Sequence, residues 1–188
     1  WGQDECTCND TLGMFLMADY KEGYRVATTA NLSCVPTGSG AGKILTASAN
    51  AALVIDEITL NALDGVLVKD QTIKDDNGFY YVSDTGSGSS KWELTRSPDA
   101  DDGTKMSTGA WTYIEEGTVN KKTNWALSTA NPIVVDTTEL VFEKVGGWDT
   151  VFKGATQTLT NKTLTTPTIA SLVNAQHNHT NAANGGYL

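Results

Sequence analysis

Short apolar runs separated by turn residues dominate the chain between residues 20 and 148. The dipeptides Asp64-Gly65 and Asn77-Gly78, both typical of tight turns, precede two of these runs. Polar segments at 86–90 and 97–103 predict loops, and Ser-Ala-Asn-Ala-Ala at 48–52 predicts one helical turn. Strands this short and this closely spaced predict an all-β domain, either a small barrel or a sandwich. The runs lie at 66–69, 79–82, 92–95, 111–114, 125–127 and 140–142.

The segment after residue 150 has a different composition. Residues 151–188 contain Lys153 and Lys162 but no Asp or Glu, although the whole chain has a net charge of −9. A five-residue repeat places one aliphatic side chain between threonines, which is too little to offset the ordering cost of roughly 1–2 kcal/mol per residue. This segment is therefore either a disordered linker or a stem that buries its aliphatic side chains against identical copies. The side chains in question are Leu159, Leu164, Ile169 and Leu172.

These differences predict three parts. Residues 1–20 form an N-terminal arm, whose apolar run at 13–18 either packs on the next domain or docks onto a partner. Residues 21–148 form the β domain, and residues 149–188 form the threonine-rich stem.

Length and charge exclude several classes of protein. The chain has 188 residues, and its negative charge would repel the phosphates of a nucleic acid. No apolar run approaches the roughly 20 residues that a transmembrane helix needs, so we expect no membrane insertion. The three cysteines, Cys6, Cys8 and Cys34, are too few for a disulfide scaffold, although either of the first two could reach the third.

Several segments of the β domain resemble a domain that is common in bacteriophage tail-fibre and tail-spike proteins. The resemblance covers about residues 24–146, and its order and spacing are kept throughout. Downstream, TLTNKTL at 158–164 resembles the repeats that follow such domains, and QHNHT at 176–180 resembles their His-x-His stretches. The matching segments are RVATTANL (25–32), VLVKDQT (66–72), NGFYYV (77–82), WELTR (92–96), GAW to EEGT (109–118) and NWAL (124–127).

The resemblance implies a structural virion protein that forms a homotrimer and links the particle to the bacterial host surface. The threonine-rich segment would then be an extended, intertwined β stem, with its aliphatic side chains facing the three-fold axis. Other virion proteins, and a bacterial surface glycan or receptor, are the implied partners. The family offers no catalytic residues to transfer to this chain, so we expect no enzymatic activity.

His177 and His179 are the strongest candidate metal ligands. In an extended strand, residues two apart point to the same face, so one chain offers two imidazoles and a trimer offers six. Six nitrogen ligands suit an octahedral site for a first-row transition metal such as iron, which would lie on the trimer axis. The alternative is a solvent-facing pair near a frayed end, and no cofactor is otherwise required.

Aromatic side chains are candidates for glycan contact, because aromatic rings stack on sugar rings. Trp92, Trp111 and Tyr113 are the candidates of this kind. Each lies in a predicted strand, and burial in the core is the favoured interpretation for the aromatic residues of the domain.

Other groups of residues give weaker signals. Asp99, Asp101 and Asp102 lack the later bidentate glutamate of a calcium loop, and Glu115 and Glu116 face opposite sides of a strand. The glycine-rich segment 38–43 lacks the spacing of a phosphate-binding loop and predicts a flexible turn.

We therefore expect a trimeric, non-enzymatic virion fibre or spike component that is exposed on the particle surface. The alternatives are a glycan-binding adhesin module, a capsid decoration or head-fibre protein, and a spike whose enzyme domain lies further along the chain. An exposed tryptophan on a shallow face would favour the adhesin.

Overall fold

The computed structural model describes residues 19–146, which are almost entirely strand, turn and loop. The helical structure in this range is two short 3-10 turns, Gly40–Gly42 and Lys74–Asp76. The predicted β character is therefore confirmed for this part of the chain. The strands here are β1 (Val26–Ala27), β2 (Cys34–Thr37), β3 (Ile44–Ala47), β4 (Val54–Ile55), β5 (Ile58–Thr59), β6 (Gly65–Val68), β7 (Gly78–Ser87), β8 (Ser90–Arg96), β9 (Trp111–Ile114), β10 (Thr123–Leu127) and β11 (Phe142–Val145).

The strands form three sheets. The largest has six strands in the order β1-β6-β7-β8-β3-β2, the second has three in the order β11-β10-β9, and β4 pairs with β5. β1 runs parallel to β6, whereas the other strand pairs are antiparallel. Within the described residues the strands form several sheets and no sheet closes into a barrel, so the predicted small barrel is not what these residues form.

Part of the six-stranded sheet is buried on both faces, most completely at β6, whereas the edge strand β2 is largely exposed. On β6, Val66 and Val68 belong to one core cluster and Leu67 belongs to the other, and all three are 0% exposed. Successive side chains of a strand point to opposite faces, so a strand that is covered on both sides carries an uninterrupted apolar run. This explains why β6 is not alternately apolar and polar.

One face of the six-stranded sheet packs against the three-stranded sheet. The rings of Phe79 and Phe142, one from each sheet, meet edge to face with their centroids 5.4 Å apart. This shared core also takes Ala27 and Leu67 from the larger sheet and Ile114 and Leu127 from the smaller one.

The opposite face is covered by residues 53–60, which include the β4–β5 hairpin. Its turn residues, Asp56 and Glu57, have φ values of 48° and 66°, as a two-residue hairpin turn of the I′ type requires. The Asp56 carboxylate accepts hydrogen bonds from the N–H groups of Val119 and Asn120, at 2.9 and 2.8 Å. The hairpin is therefore tied to the turn that follows β9.

Five of the predicted strands coincide with β6 to β10. The sixth is displaced, because β11 begins at Phe142 and the N–H of Leu140 instead donates to the carbonyl of Lys74 at 3.0 Å. The predicted loop at 86–90 is shorter than expected, since Ser87 pairs with Ser90 across a tight turn.

The prediction of a helical turn at 48–52 is wrong. The backbone N–H groups of Ala51 and Leu53 donate to the carbonyls of Ser90 and Thr85. The donors that a helical turn would need are thus used by neighbouring strands. Alanine content alone indicated a helix, but tertiary hydrogen bonding determines the conformation.

The buried ionic cluster of Lys43, Asp76, Arg96 and Asp136 joins distant parts of the chain. The Lys43 ammonium lies 2.6 Å from an Asp76 oxygen and 3.4 Å from an Asp136 oxygen, and an Arg96 nitrogen lies 2.9 Å from the same Asp136 oxygen. The Arg96 side chain is 0% exposed. Asp136 belongs to the loop between β10 and β11, so the cluster links that loop to the six-stranded sheet.

The substitution Arg96→Ala should lower the free energy of unfolding by about 3–5 kcal/mol, because it empties a fully buried site and removes a cationic partner from the partly buried Asp136. Urea unfolding of the full chain measures this loss. Arg25→Ala is the matched control: Arg25 pairs with Asp64 and Glu116 at a partly exposed site, so its loss should cost about 1 kcal/mol or less. Equal losses in the two variants would contradict the structural importance of the cluster.

Among residues 19–146, no helix has the length and apolar character needed to cross a bilayer.

Candidate functional site

The two sides of the three-stranded sheet differ in burial. On β9, Thr112 and Ile114 are fully buried, whereas Trp111 is partly exposed and Tyr113 is 37% exposed. Since side chains alternate along a strand, Trp111 and Tyr113 project from the side away from the core. The sequence therefore places two aromatic side chains on an open surface.

Strand register extends this surface across the sheet. Ala126 of β10 pairs with Trp111 and with Glu143 of β11, which gives one row of side chains. Asn124 pairs with Tyr113 and with Val145, which gives a second row. Neighbouring strands lie roughly 4.8 Å apart, so each row spans about 10 Å. We call these six residues the outer face: Trp111, Tyr113, Asn124, Ala126, Glu143 and Val145.

Tyr20 adds a third aromatic ring beside the outer face. The N–H of Trp111 donates to the carbonyl of Asp19 at 2.9 Å, and the N–H of Lys21 donates to the carbonyl of Trp111 at 2.8 Å. These bonds align the segment before β1 parallel to β9. The rings of Tyr20 and Trp111 then lie 4.7 Å apart between centroids at an interplanar angle of 52°, with Tyr20 55% exposed.

A shallow groove of about 390 Å³ runs over the outer face. Its lining is Gly109, Trp111, Asn124, Ala126 and Val145. Ala126 is the small residue between the larger side chains of Trp111 and Glu143, so the surface is depressed at its centre. The result is a mainly apolar depression with an amide and a carboxylate beside it.

Trp92 lies elsewhere. It is 7% exposed and packs in the core between the six-stranded sheet and residues 53–60. One edge of its side chain lines a separate cleft of about 300 Å³ with several alanines. The structure thus brings Trp111 and Tyr113 together but places Trp92 in the core, where little of its ring is left for a glycan.

Other aromatic residues of the domain contribute to the cores. Tyr80 is 0% exposed, and its hydroxyl donates to the carbonyl of Asp76 at 2.8 Å. Trp125 faces inward, with the Lys69 ammonium 4.1 Å from its ring centroid. Burial raises the pKa values of Tyr24 and Tyr80 well above the usual range, so both phenols stay protonated even at a pH at which an exposed tyrosine ionises.

The acidic loop at 97–103 is organised by lysines. The Lys21 ammonium, 4% exposed, donates to the carbonyls of Asp99 and Lys105 at 2.6 and 2.5 Å. Lys105 in turn lies 2.6 Å from a carboxylate oxygen of Asp101. A backbone carbonyl and a carboxylate of this loop are thus bound by the chain's own lysines, in agreement with a structural turn.

The remaining weak signals also have structural explanations. The N–H of Gly40, in the glycine-rich segment 38–43, donates to a carboxylate oxygen of Asp136 at 2.6 Å. The loop therefore binds a carboxylate of its own chain. Glu116 pairs with Arg25 at 3.1 Å, while its neighbour Glu115 is exposed.

Several predicted sites lie outside the described residues. These are the histidines His177 and His179, the aliphatic side chains Leu159, Leu164, Ile169 and Leu172, and the cysteines Cys6 and Cys8. Within residues 19–146, no group of three or more His, Cys, Asp or Glu side chains has the arrangement of a metal site.

Sequence reasoning missed Tyr20 and Asn124. Tyr20 was included in the arm, because no local pattern shows that residues 19–24 pair with β9. The position of Asn124 could have been found, since an antiparallel pairing of 123–127 with 111–114 puts it beside Tyr113. The pairing register of the two strands, rather than the residue type, shows that Asn124 lies beside Tyr113.

Cys34 is a half-buried thiol on the edge strand β2. Burial raises its pKa, and a hydrogen bond from the side chain of Gln71 to its sulfur opposes that shift only in part. A raised pKa means a smaller thiolate fraction at a given pH, and the thiolate is the reactive form.

At pH 8 the folded protein should therefore alkylate at Cys34 more slowly than the same chain in urea, and the rate should rise with pH. Peptide mass mapping after iodoacetamide treatment follows this cysteine separately from Cys6 and Cys8. Equal labelling rates in the folded and unfolded chains would contradict the prediction.

Comparisons with family models, with curated proteins and with solved structures gave no match to this chain. The assignment of function therefore rests on the residues themselves.

Proposed function

We propose that the protein is a structural component of a bacteriophage fibre or spike, that it forms a homotrimer, and that it supports attachment to the bacterial surface. One observation supports the proposal: four of the six segments that resemble the fibre domain overlap β1, β6, β7 and β8, which are adjacent in the six-stranded sheet.

Polar residues of these segments support the backbone. Asn77 accepts a hydrogen bond from the N–H of Gln71 at 2.9 Å and donates one to the carbonyl of Leu140 at 2.8 Å. The hydroxyl of Thr28 donates to Asp70 at 2.8 Å and accepts from the N–H of Lys69 at 3.0 Å. Side chains used in this way stabilise a rigid module, which is what a load-transmitting fibre requires.

The stem is the trimerisation element in this proposal. Its aliphatic side chains Leu159, Leu164, Ile169 and Leu172 face the three-fold axis, where the absence of acidic residues from 151–188 avoids repulsion between copies. The β domain has its own core and needs no partner chain for it. Folding of the domain and association of the chains are therefore separable.

A chain ending at residue 150 should stay folded but lose or weaken trimerisation, because the aliphatic repeats are removed. Light scattering after size-exclusion chromatography compares its mass with that of the full chain, and circular dichroism checks that the sheets remain. Replacing Leu159 and Leu164 by Thr in the full chain should weaken association without truncation. A full chain that runs as a monomer would contradict the proposal.

His177 and His179 are proposed to supply six imidazoles to a transition-metal ion on the trimer axis. Treatment with a chelator should then lower the melting temperature of the trimer, because the metal crosslinks the three chains. Differential scanning calorimetry measures the change, with the double variant His177→Ala/His179→Ala as the control that should no longer respond. An unchanged melting temperature in the unsubstituted protein would rule out a stabilising ion.

The second candidate is a glycan-binding adhesin module, favoured by the partly exposed Trp111 on the shallow outer face. A capsid decoration or head-fibre protein would use the same module. The fibre and the decoration protein would act on the particle surface, and the adhesin on a phage or a cell surface; none of these proposals includes enzymatic activity, nucleic-acid binding or membrane insertion.

A further inference from the structure

We propose that the outer face, together with Tyr20, binds an uncharged oligosaccharide. This inference rests on the proposed role in attachment and deepens it by naming the class of ligand. It also changes the set of aromatic residues predicted from sequence, since Tyr20 joins Trp111 and Tyr113 while Trp92 is excluded by its burial.

The arrangement of the rings is the first argument. Tyr20 and Trp111 are inclined to one another at 52°, with 4.7 Å between their centroids, so the two rings contact each other and present one joined aromatic surface. The backbone of Trp111 bonds to Asp19 and Lys21, the neighbours of Tyr20, which holds the two segments side by side. An aromatic surface held in this way offers apolar area to the C–H groups of a sugar ring at little cost in side-chain entropy.

The polar groups beside the rings are the second argument. Asn124 lies in the groove between the strands that carry Tyr113 and Val145, and Glu143 lies one residue pair away from Trp111 across Ala126. The Asn124 and Glu143 side chains make no hydrogen bond to another residue in the range 19–146. An amide and a carboxylate can together accept and donate hydrogen bonds to sugar hydroxyls.

Charge determines which glycans fit. The chain has a net charge of −9, and the charged side chain of the outer face is the carboxylate of Glu143. An acidic polysaccharide would therefore be repelled, both by the whole protein and at the site. The ligand that this surface favours is neutral.

The size of the groove argues against a protein in this position. Five residues line it, whereas a stable protein interface engages roughly 20–30 residues on each side. A volume of about 390 Å³ lies in the range of small-molecule sites. The groove is thus large enough for a short oligosaccharide and too small for a folded partner.

Isothermal titration of the full chain with maltotriose, cellotriose and triacetylchitotriose tests the proposal. At least one of these neutral probes should bind, and trigalacturonate should bind more weakly than that probe. Trp111→Ala should weaken binding by about tenfold or more, as expected when a central aromatic contact is removed. Asn124→Ala should weaken it to a smaller extent.

Trp125→Phe is the matched control, because Trp125 lies on the same sheet but faces the core and the Lys69 ammonium. It should bind the probe as the unsubstituted chain does. Trp111→Phe keeps an aromatic ring and should restore most of the affinity lost in Trp111→Ala, which separates ligand contact from an effect on folding.

The proposal is overturned if none of the three neutral probes binds, or if Trp111→Ala binds as tightly as the unsubstituted chain. It is also overturned if Trp111→Ala changes the mass of the assembly while no probe binds, since the outer face would then be a contact between copies. Light scattering on the same samples reports trimer formation independently, so a failure of glycan binding is distinguishable from a failure of the fibre proposal.

Discussion

Burial of the six-stranded sheet on both faces around β6 determines the arrangement of the other elements. Val66 and Leu67 are adjacent on β6, and each is fully buried in a different core cluster. Leaving either face in water would expose apolar area at a cost of about 25 cal/mol per Å². The three-stranded sheet must therefore cover one face, and residues 53–60 must cover the other.

This requirement accounts for the existence of the outer face. One side of the three-stranded sheet packs in the shared core, through Ile114, Leu127 and Phe142. Its other side has no layer above it within the described residues, so the alternation along β9 places Trp111 and Tyr113 at the surface. The three-stranded sheet thus covers the core with one side and presents the outer face to solvent with the other.

Polar interactions determine how the covering layers attach. The buried ionic cluster holds the β10–β11 loop through Asp136, and Asp56 holds the turn after β9 through two backbone N–H groups. Gly117 has a φ of 118°, and a Cβ atom there would lie 2.2 Å from an Asp56 oxygen, so this close approach requires glycine. The carboxylates of Asp136 and Asp56 therefore fix the position of the covering elements, which apolar contacts, being non-directional, would not do alone.

A strand was predictable from the sequence where a turn dipeptide stands directly before an apolar run. β6 and β7 follow Asp64-Gly65 and Asn77-Gly78, and both were expected from those signals. The prediction for segment 48–52 is wrong, because Ser48 donates its N–H to the carbonyl of Ser33 and Ala51 donates its N–H to the carbonyl of Ser90, and both partners are distant in sequence.

Long-range partners were not predictable for a related reason. Arg96 and Asp136 are 40 residues apart, and no local pattern specifies their ion pair. The same applies to Tyr20, whose contact with Trp111 depends on a parallel bridge that spans 91 positions. A site residue such as Asn124, whose neighbours depend on the register of two strands, is easier to predict than these long-range contacts but harder than the strands themselves.

Two tryptophans of the three-stranded sheet, both in predicted strands, lie on opposite sides of that sheet. Trp125 turns inward and is covered by the Lys69 ammonium, whereas Trp111 turns outward beside Tyr20. Trp125 is partly buried and packs against the shared core, so its contribution to folding accounts for its position. An outward aromatic pair contributes far less to stability and raises the risk of aggregation, so a binding role explains Trp111 and Tyr20 better than folding does.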